Sequence, residues 1–251
     1  MNRHDATGTV ALITGGAHGI GAGVARALAS RGAEVVVADV DDDAGAAVAD
    51  EVGGVFVHCD VRALADHQRA VAVAVERFGG LDLVHLNAGV ASGFGLGEDF
   101  DVEAYRRVMG INLDGVVFGV HAALPALRAR GGGDIVATAS MAGLVPVVFD
   151  PLYAANKHAV VGLMRSLGEL HAAEGIRVNA LCPSFADTAI LGGNRGFLEE
   201  LGFPILEVAE VVDAFLAILD GGGSGECWFV VPGRESEPFR FRRAPGVRTG
   251  S

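Results

Sequence analysis

The segment "VALITGGAHGIG", residues 10–21, joins a short apolar run directly to a cluster of glycines. The run predicts a buried strand, and the glycines predict a tight turn that opens into a helix. A helix that begins there directs backbone N–H groups and the positive end of its dipole at the turn, where a phosphate can bind. Gly15, Gly19 and Gly21 would let a pyrophosphate approach the backbone and let the helix pack closely on the strand. The segment favours a nucleotide-binding unit, and an ordinary glycine-rich turn is the alternative.

Short apolar runs alternate with helical patterns along the rest of the chain. In several runs the odd-numbered and the even-numbered positions are both apolar, as expected of strands that are covered on both faces. The alternation predicts right-handed βαβ units and a single α/β domain of the Rossmann type, with a doubly wound, seven-stranded parallel sheet and helices on both faces. The predicted strands are 10–14, 34–39, 55–60, 81–87, 134–140, 177–183 and 227–231. The predicted helices are about 19–31, 62–78, 101–130, 153–174 and 207–220.

Two segments fall outside this alternation. No internal repeat or proline-rich linker divides the chain, so we expect one domain over residues 1–251. Residues 188–206 form a glycine-containing excursion, which we interpret as a lid. Residues 232–251 form a tail that either packs on a neighbouring subunit or lies in solvent. The arginines of the tail are Arg234, Arg240, Arg242, Arg243 and Arg248.

The composition argues against several classes of function. The net charge of −12 disfavours nucleic acid or an anionic membrane surface as the partner. The three cysteines are far apart and form no CxxC pair, which disfavours a disulfide framework or a metal site and favours a reducing compartment. We find neither a signal peptide nor an apolar run of the roughly 20 residues that span a bilayer. We therefore expect a cytoplasmic protein that binds neither nucleic acid nor membrane.

An acidic residue ends the second predicted strand at the position that a bound adenosine would reach. Asp39 lies 20 residues beyond Gly19, where a carboxylate can accept hydrogen bonds from both ribose hydroxyls. It would also repel a 2′-phosphate, and Val40 and the three aspartates that follow it offer no cation to bind one. The sequence therefore predicts NAD rather than NADP. A strand-end cap is the alternative for Asp39, and a protonated His18 is the one feature that would favour a phosphate.

The stretch "PLYAANKHAV", residues 151–160, places a tyrosine and a lysine one helical turn apart. An unperturbed tyrosine has a pKa near 10, which is too high for a base at neutral pH. Two close cations in a low-dielectric cleft, the Lys157 ammonium and a bound nicotinamide, could lower the pKa of Tyr153 by about 3 units, or roughly 4 kcal/mol. An amphipathic surface helix is the alternative reading of these two residues alone.

Further motifs occur in a fixed order along the chain. They are Thr-Gly-x-x-x-Gly-x-Gly from Thr14, "LNAG" at 86–89, Asn112, Ser140, and Tyr153-x-x-x-Lys157 thirteen residues after the serine. Each is short, but their order and spacing over about residues 8–190 resemble the short-chain dehydrogenase/reductase family. Within it, "LYAANKHAVVGLMRSL" and "RVNALCPSFADTAIL" are most similar to the NAD-dependent 15-hydroxyprostaglandin dehydrogenase group, which does not establish a prostaglandin substrate.

The resemblance implies hydride transfer between a secondary alcohol or ketone and NAD. Tyr153 is then the general acid and base, and Lys157 lowers its pKa and hydrogen-bonds the nicotinamide ribose. Ser140 would orient the substrate oxygen and stabilise the charge that develops on it. Asn112 would kink the long helix and hold a water that links Lys157 to solvent. We expect an apolar or alicyclic alcohol as the substrate.

The expected contacts and assembly follow from the same resemblance and from position along the chain. The cofactor contacts are Gly15, His18, Gly19, Ile20, Gly21, Asp39, Val40, Asp60, Val61, Asn87, Ala88, Gly89, Tyr153, Lys157, Pro183, Ala186 and Thr188. The substrate contacts are Met141, Asp150, Phe185 and Leu191. Core packing explains the apolar ones equally well, and Asp150 would otherwise cap the helix that follows it. A homotetramer or dimer, formed through the helices at 101–130 and 153–174, is the expected assembly.

Four positions depart from the family's usual sequence, and none removes a catalytic group. Leu86 replaces the first asparagine of "NNAG", Asn156 replaces the usual serine before the lysine, and Ser184 replaces the glycine of "PG". The stretch "VVPGRE" at 230–235 replaces the usual Asp-Gly-Gly ending. Two alternatives stay open: a non-catalytic NAD-binding sensor or scaffold of the same fold, and a carbonyl reductase that uses the same site in the opposite direction.

Overall fold

The strand and turn at the start of the chain form as the sequence predicts. Strand β1, Val10–Thr14, is buried along its whole length, and helix α1, Gly19–Ala29, begins directly after the glycine turn. The structure is a computed structural model that describes residues 6–92, 95–98, 100–200 and 202–242.

The elements alternate along the chain as predicted. The strands are β1 (Val10–Thr14), β2 (Glu34–Asp39), β3 (Val55–His58), β4 (Leu83–Leu86), β5 (Gly133–Thr138), β6 (Ile176–Pro183), β7 (Cys227–Val230) and β8 (Glu237–Pro238). The α-helices are α1 (Gly19–Ala29), α2 (Asp42–Val52), α3 (Leu64–Phe78), α4 (Val102–Met109), α5 (Gly115–Arg130), α6 (Pro151–His171), α7 (Arg195–Glu200) and α8 (Val208–Gly221).

The strands form one sheet in the order β3-β2-β1-β4-β5-β6-β7-β8. Strands β1 to β7 are parallel, which confirms the doubly wound α/β fold. The predicted count of seven strands is one short, because β8 adds an antiparallel edge through Trp228 and Pro238. Because β8 has only two residues, it is too short to contain the apolar run that would predict a strand. The strand order reverses between β1 and β4, so a crevice opens at their carboxyl ends, where such folds bind ligands.

Alternate residues of the central strands pack into two separate cores. Leu12 belongs to a core that β1 shares with α3, α5 and α6, whereas Ile13 belongs to a core shared with α1 and α8. Both side chains are at most 1% exposed. Burying such a side chain contributes about 1.5–3 kcal/mol. Because helices cover both faces of the sheet, the side chains that point to either face are apolar, as the sequence indicated.

The sequence analysis did not predict two of the helices, α2 and α7. Helix α2 begins after Asp41, whose carboxylate accepts a hydrogen bond from the Ala44 N–H (3.1 Å). Its apolar face is only Gly45, Val48 and Ala49, too narrow to give a clear helical period. Helix α7 has six residues and lies within the excursion.

The helix predicted over 101–130 is interrupted. It consists of α4, a π-helical turn at Gly110–Asp114, and α5. The continuous run Val102–Arg130 is long and apolar enough to cross a membrane by length and composition alone, which the sequence analysis did not anticipate. A core helix passes the same test, and 44% of its most apolar window is buried within the fold. Val116 and Leu127, for example, pack in the core beside α3.

The first part of the basic tail packs on its own chain. Through β8 it continues the sheet, and the Arg165 guanidinium of α6 lies 3.7 Å from the centroid of the Phe241 ring. Residues 232–242 therefore do not lie free in solvent, which was one of the two expectations. Arg243 and Arg248 lie outside the described residues.

The excursion at 188–206 is closed at its base. The Leu206 N–H donates to the Phe185 carbonyl (2.7 Å), and the Asp187 N–H donates to the Leu206 carbonyl (2.9 Å). Between these anchors lie a 3₁₀ segment, Ala189–Asn194, and α7, and residue 201 lies outside the described residues. Both ends are fixed, which suits a lid, and the movement of the segment stays a prediction.

Candidate active site

One large cavity, of about 1420 Å³, opens at the carboxyl ends of β1, β4, β5 and β6. The structure brings nearly all of the predicted site residues to its wall, although Gly21 and Asn112 do not line it. The predicted residues on the wall are Gly15, His18, Gly19, Ile20, Asp39, Val40, Asp60, Val61, Asn87, Ala88, Gly89, Ser140, Met141, Asp150, Tyr153, Lys157, Pro183, Phe185, Ala186, Thr188 and Leu191. Their roles stay predictions.

The turn between β1 and α1 is too crowded for side chains. A Cβ on Gly15 would lie 2.8 Å from the Ala88 Cα, and one on Gly21 would lie 2.0 Å from the Gly15 carbonyl oxygen. No side chain in the described part of the chain caps α1, so its first N–H groups are open to a ligand. The turn therefore fits a pyrophosphate, which a helix N-terminus binds through such groups.

Asp39, at the end of β2, stabilises the glycine turn through backbone hydrogen bonds. Its Oδ2 accepts a hydrogen bond from the Ala17 N–H (3.0 Å), and its Oδ1 accepts from the Val40 N–H (2.8 Å) and the Asp41 N–H (3.1 Å). The carboxylate thus has the capping role that the sequence analysis held as an alternative. A carboxylate offers about four acceptor sites, so the cap leaves room for a ribose hydroxyl.

The basic groups near Asp39 are paired with acids. His18 Nε2 lies 2.8 Å from Asp41 Oδ2, and this hydrogen bond holds the pKa of Asp41 below its usual value. Arg62 on the cavity wall pairs with Asp60, with Nη2 2.6 Å from Oδ2. An incoming 2′-phosphate would have to compete with these carboxylates for His18 and Arg62.

Ser140, Tyr153 and Lys157 meet inside the cavity. The first turns of α6 carry the tyrosine and lysine, and Ser140 lies on the same cavity wall, where its hydroxyl opposes the rise in the pKa of the Tyr153 phenol. The Lys157 Nζ lies 5.6 Å from the centroid of the phenol ring and donates to the Thr138 carbonyl (2.9 Å). Lys157 is 2% exposed, so the surface-helix alternative is wrong for this pair.

The chain's own groups raise the pKa of Tyr153 rather than lower it. Burial is the main cause, and it brings the pKa to about 12, with the Ser140 hydroxyl opposing the rise and the Asp150 charge adding to it. Burial also lowers the pKa of Lys157 to about 8. The lysine therefore releases its proton at a lower pH than the phenol does. The expected acidic tyrosine requires a second cation close to the phenol, such as an oxidised nicotinamide.

Asn112 lies in the π-helical turn and clamps the loop after β4. Its Nδ2 donates to the Val90 carbonyl (2.9 Å), and its Oδ1 accepts from the Val90 N–H (2.8 Å). The expected kink is thus a π-helical turn, a feature frequent at functional sites. The predicted water between Asn112 and Lys157 stays a prediction.

The mouth of the cavity is aromatic. The Phe185 ring centroid lies 6.5 Å from that of Phe149 and 5.4 Å from that of Phe203. Phe149 is 68% exposed and Phe203 is 42% exposed, so both present apolar surface at the opening. Met141 and Leu191 line the same cavity. This wall suits an apolar substrate.

Asp150 caps helix α6. Its Oδ1 accepts a hydrogen bond from the Tyr153 N–H (2.9 Å), which confirms the capping alternative. Its other oxygen accepts a hydrogen bond from the buried Ser92 hydroxyl. Asp150 also lines the cavity, so a substrate contact stays a prediction.

The departures from the family pattern are accommodated without disrupting the strands or α6. Leu86 is buried in the core against Gly119. Asn156 donates to the Met109 sulfur (3.1 Å), although its Oδ1 has no partner within the described ranges. The Ser184 N–H donates to the Val230 carbonyl (2.9 Å), so the backbone hydrogen bonds between β6 and β7 extend to the substituted glycine position.

Several wall residues escaped the sequence analysis, among them Ile111, Thr138 and Phe203. Thr138 had a recognisable signal: it is a polar residue at the carboxyl end of a buried strand, two positions before Ser140. Phe203 had none, because only the path of the excursion brings it to the cavity.

Comparison with known proteins identifies relatives that match in sequence and in structure. The family model for short chain dehydrogenases matches residues 9–196. A cyclohexanol dehydrogenase of Acinetobacter sp. (strain SE19) is 38% identical over 187 residues, 72% of this chain and 74% of that protein. A 3-alpha-(or 20-beta)-hydroxysteroid dehydrogenase of Mycobacterium bovis is 39% identical over 183 residues, 72% of this chain and 70% of that protein. The crystal structure of a 3-ketoacyl-(acyl-carrier-protein) reductase from Brucella melitensis, complexed with NADH, gives a TM-score of 0.84 at 29% identity and covers 91% of this chain and 98% of that chain.

Proposed function

The chain belongs to the short-chain dehydrogenase family, and from that premise we propose that it is an NAD(H)-dependent oxidoreductase that interconverts a secondary alcohol and its ketone. One observation carries the proposal. Tyr153 and Ser140 line one cavity with the buried Lys157 and the open glycine turn, and the Lys157 Nζ lies 5.6 Å from the centroid of the phenol ring. A protein that only bound a nucleotide would have no need of this acid–base group.

The residues have distinct tasks in alcohol oxidation. Ser140 holds the substrate oxygen, and Tyr153 accepts the hydroxyl proton of the alcohol. Bound at the glycine turn, the nicotinamide coenzyme supplies the hydride acceptor and a positive charge. Lys157, with a pKa of about 8, is mostly charged at neutral pH and favours the phenolate, while the Thr138 carbonyl orients it. In ketone reduction Tyr153 returns the proton, so the carbonyl reductase alternative uses the same groups.

The surroundings of Asp39 support NAD as the coenzyme. Its carboxylate lines the cavity at the carboxyl end of β2, where an adenosine ribose binds in folds of this type. The neighbouring Asp41 is also negative and holds His18. Together these charges disfavour a 2′-phosphate.

The aromatic mouth supports an alicyclic or other apolar secondary alcohol as the substrate. Phe149, Phe185 and Phe203 offer ring faces and edges to an apolar body. Two of the relatives are named for alcohols of alicyclic compounds, cyclohexanol and hydroxysteroids. The resemblance to the 15-hydroxyprostaglandin dehydrogenase group stays a prediction and assigns no substrate. A homotetramer or dimer is proposed from the family resemblance, and sedimentation would give the subunit count. A cytoplasmic location is proposed from the three separated cysteines, which suit a reducing compartment.

Coenzyme reduction with a panel of alcohols tests the proposal. The purified protein is incubated with NAD or NADP and with cyclohexanol, a 3α-hydroxysteroid and a linear primary alcohol, and formation of the reduced coenzyme is followed by absorbance. We expect turnover with at least one alicyclic alcohol, faster with NAD. Tight NADH binding without turnover of any alcohol or corresponding ketone would favour the sensor alternative.

A further inference from the structure

A histidine is buried in the middle of the central strand β4, away from the cavity. His85 has no solvent exposure, and its ring centroid lies 4.5 Å from that of Phe215 on α8. Its Nε2 lies 2.9 Å from the Thr138 Oγ1 on the neighbouring strand β5. Its Nδ1 has no hydrogen-bond partner among the residues that the structure describes. An unpartnered polar atom in a core is rare and calls for an explanation.

The direction of each hydrogen bond around His85 follows from counting protons. The Thr138 hydroxyl donates its single proton to the Asn87 Oδ1 (3.1 Å). In its contact with His85 the hydroxyl must therefore be the acceptor, so the proton of the imidazole resides on Nε2. The unpartnered Nδ1 then carries a lone pair and no proton. Burial lowers the pKa of His85 to about 3, which agrees with a neutral ring.

The chain of donors continues to the glycine turn. The Asn87 Nδ2 donates to the Gly15 carbonyl (3.1 Å), and a Cβ on Gly15 would lie 3.1 Å from that same nitrogen. Each group thereby fixes the next: His85 donates to Thr138, Thr138 to Asn87, and Asn87 to Gly15. The Thr138 backbone carbonyl meanwhile accepts from the Lys157 Nζ. One residue thus joins the glycine turn to the catalytic lysine.

We propose that His85 and Thr138 are positioning residues for the coenzyme, with His85 as a buried, neutral donor that orients the Thr138 hydroxyl and, through it, the Asn87 amide and the glycine turn. This inference rests on the proposed function, because it takes the turn to be the coenzyme site. Without the His85 donor, the Thr138 hydroxyl can rotate away from Asn87. Without the Thr138 hydroxyl, the Asn87 amide loses the group that sets its orientation, and His85 is left with an unpaired donor.

NADH titrations of matched variants test this chain. His85→Phe and Thr138→Val should each raise the Kd for NADH roughly fivefold, the factor that corresponds to one neutral hydrogen bond of about 1 kcal/mol. Thr138→Ser keeps the hydroxyl and should bind NADH within about twofold of the wild type. The double variant should bind no more weakly than Thr138→Val, because both changes interrupt one chain. For His85→Phe the loss should appear in the KM for NAD and not in kcat at saturating coenzyme.

A variant elsewhere in the same core separates positioning from a general loss of stability. Leu219 on α8 is 3% exposed and belongs to the core that β1 shares with α1 and α8. Leu219→Ala should lower the free energy of unfolding but leave the Kd for NADH unchanged. NMR of ¹⁵N-labelled histidine provides a second readout, in which His85 should be the neutral Nε2–H tautomer.

The outcomes distinguish the inference from the proposed function. If the wild type binds neither NADH nor NADPH, the proposed function fails. If it binds NADH and both His85→Phe and Thr138→Val bind it equally well, the positioning inference fails while the proposed function stands. A proton on Nδ1 of His85 would also overturn the inference. Should His85→Phe fail to fold, the pair Thr138→Val and Thr138→Ser decides the question.

Discussion

Asp39 combines two tasks in one side chain. Its oxygens accept backbone hydrogen bonds from Ala17, Val40 and Asp41, and the same carboxylate faces the cavity. Replacing it with alanine would therefore disturb the turn as well as the charge. Asparagine keeps the shape and one acceptor oxygen for the Val40 and Asp41 N–H groups and loses only the hydrogen bond from Ala17, so it removes the charge with less disturbance than alanine.

We predict that Asp39→Asn changes coenzyme selectivity. The ratio of the Kd for NADPH to the Kd for NADH should fall by at least about tenfold, or about 1.4 kcal/mol, because the variant no longer repels a 2′-phosphate. Fluorescence titrations with both coenzymes measure the ratio. Asp43→Asn is the control, since Asp43 is exposed on α2 away from the cavity wall. An unchanged ratio in Asp39→Asn would refute the argument for NAD.

At the scale of elements, the π-helical turn connects the long helix to the loop that follows β4. Asn112 pairs with both backbone groups of Val90, which is half-buried. In Asn112→Leu these groups lose their partners, so the Val90 amide should exchange with deuterium at least about tenfold faster and turnover should fall.

Hydrogen-exchange mass spectrometry on peptides that contain Val90 measures this change. Asn156→Ser is the control, because Asn156 lies against the same helix but makes no bond to Val90. Unaltered exchange in a folded Asn112→Leu would show that the clamp does not hold the loop.

The elements that the sequence predicts well are those with one dominant physical signal. The central strands are apolar on both parities because helices cover both faces, and the glycine turn is specified by contacts that exclude a Cβ. Elements with a weak signal were missed. Helix α2 buries three small or β-branched residues, and β8 has two residues. The kink at Asn112 was expected from the family resemblance alone, and its π-helical form was not expected.

The features of the site likewise divide into those that the sequence predicts and those that it does not. Ser140, Tyr153 and Lys157 belong to motifs, so their meeting in one cavity was predictable from spacing. Their protonation was not, because the pKa values of Tyr153 and Lys157 depend on burial. Thr138 and His85 act through contacts between neighbouring strands, which no spacing within one strand reveals.

At the scale of the whole molecule, the buried neutral His85 makes the fold sensitive to acid. The folded pKa is about 3, below the ordinary value of 6.5. The unfolded chain therefore binds an extra proton as the pH falls below 6.5, and the stability present above that pH is progressively lost down to about pH 3. Between pH 7 and about pH 4.5 this group should remove about 2–3 kcal/mol from the free energy of unfolding.

Denaturant titrations at the two pH values measure this loss. His85→Phe has no proton to take up at this position, so its stability should fall by about 2–3 kcal/mol less than that of the wild type. Leu219→Ala titrates no group and should show the wild-type fall. If His85→Phe and the wild type lose equal stability, the histidine is not buried in its neutral form.

The central claim is that Tyr153 transfers the substrate proton, and the turnover of Tyr153→Phe tests it most directly. Tyr105, the other of the two tyrosines in the chain, provides the matched control. Tyr153→Phe should lose roughly 10²- to 10⁴-fold in kcat, the range typical of a lost general acid or base, while its Kd for NADH stays within about twofold of the wild type. Tyr105→Phe should turn over at the wild-type rate. Wild-type turnover by Tyr153→Phe, on an alcohol that the unaltered protein oxidises, would contradict the account.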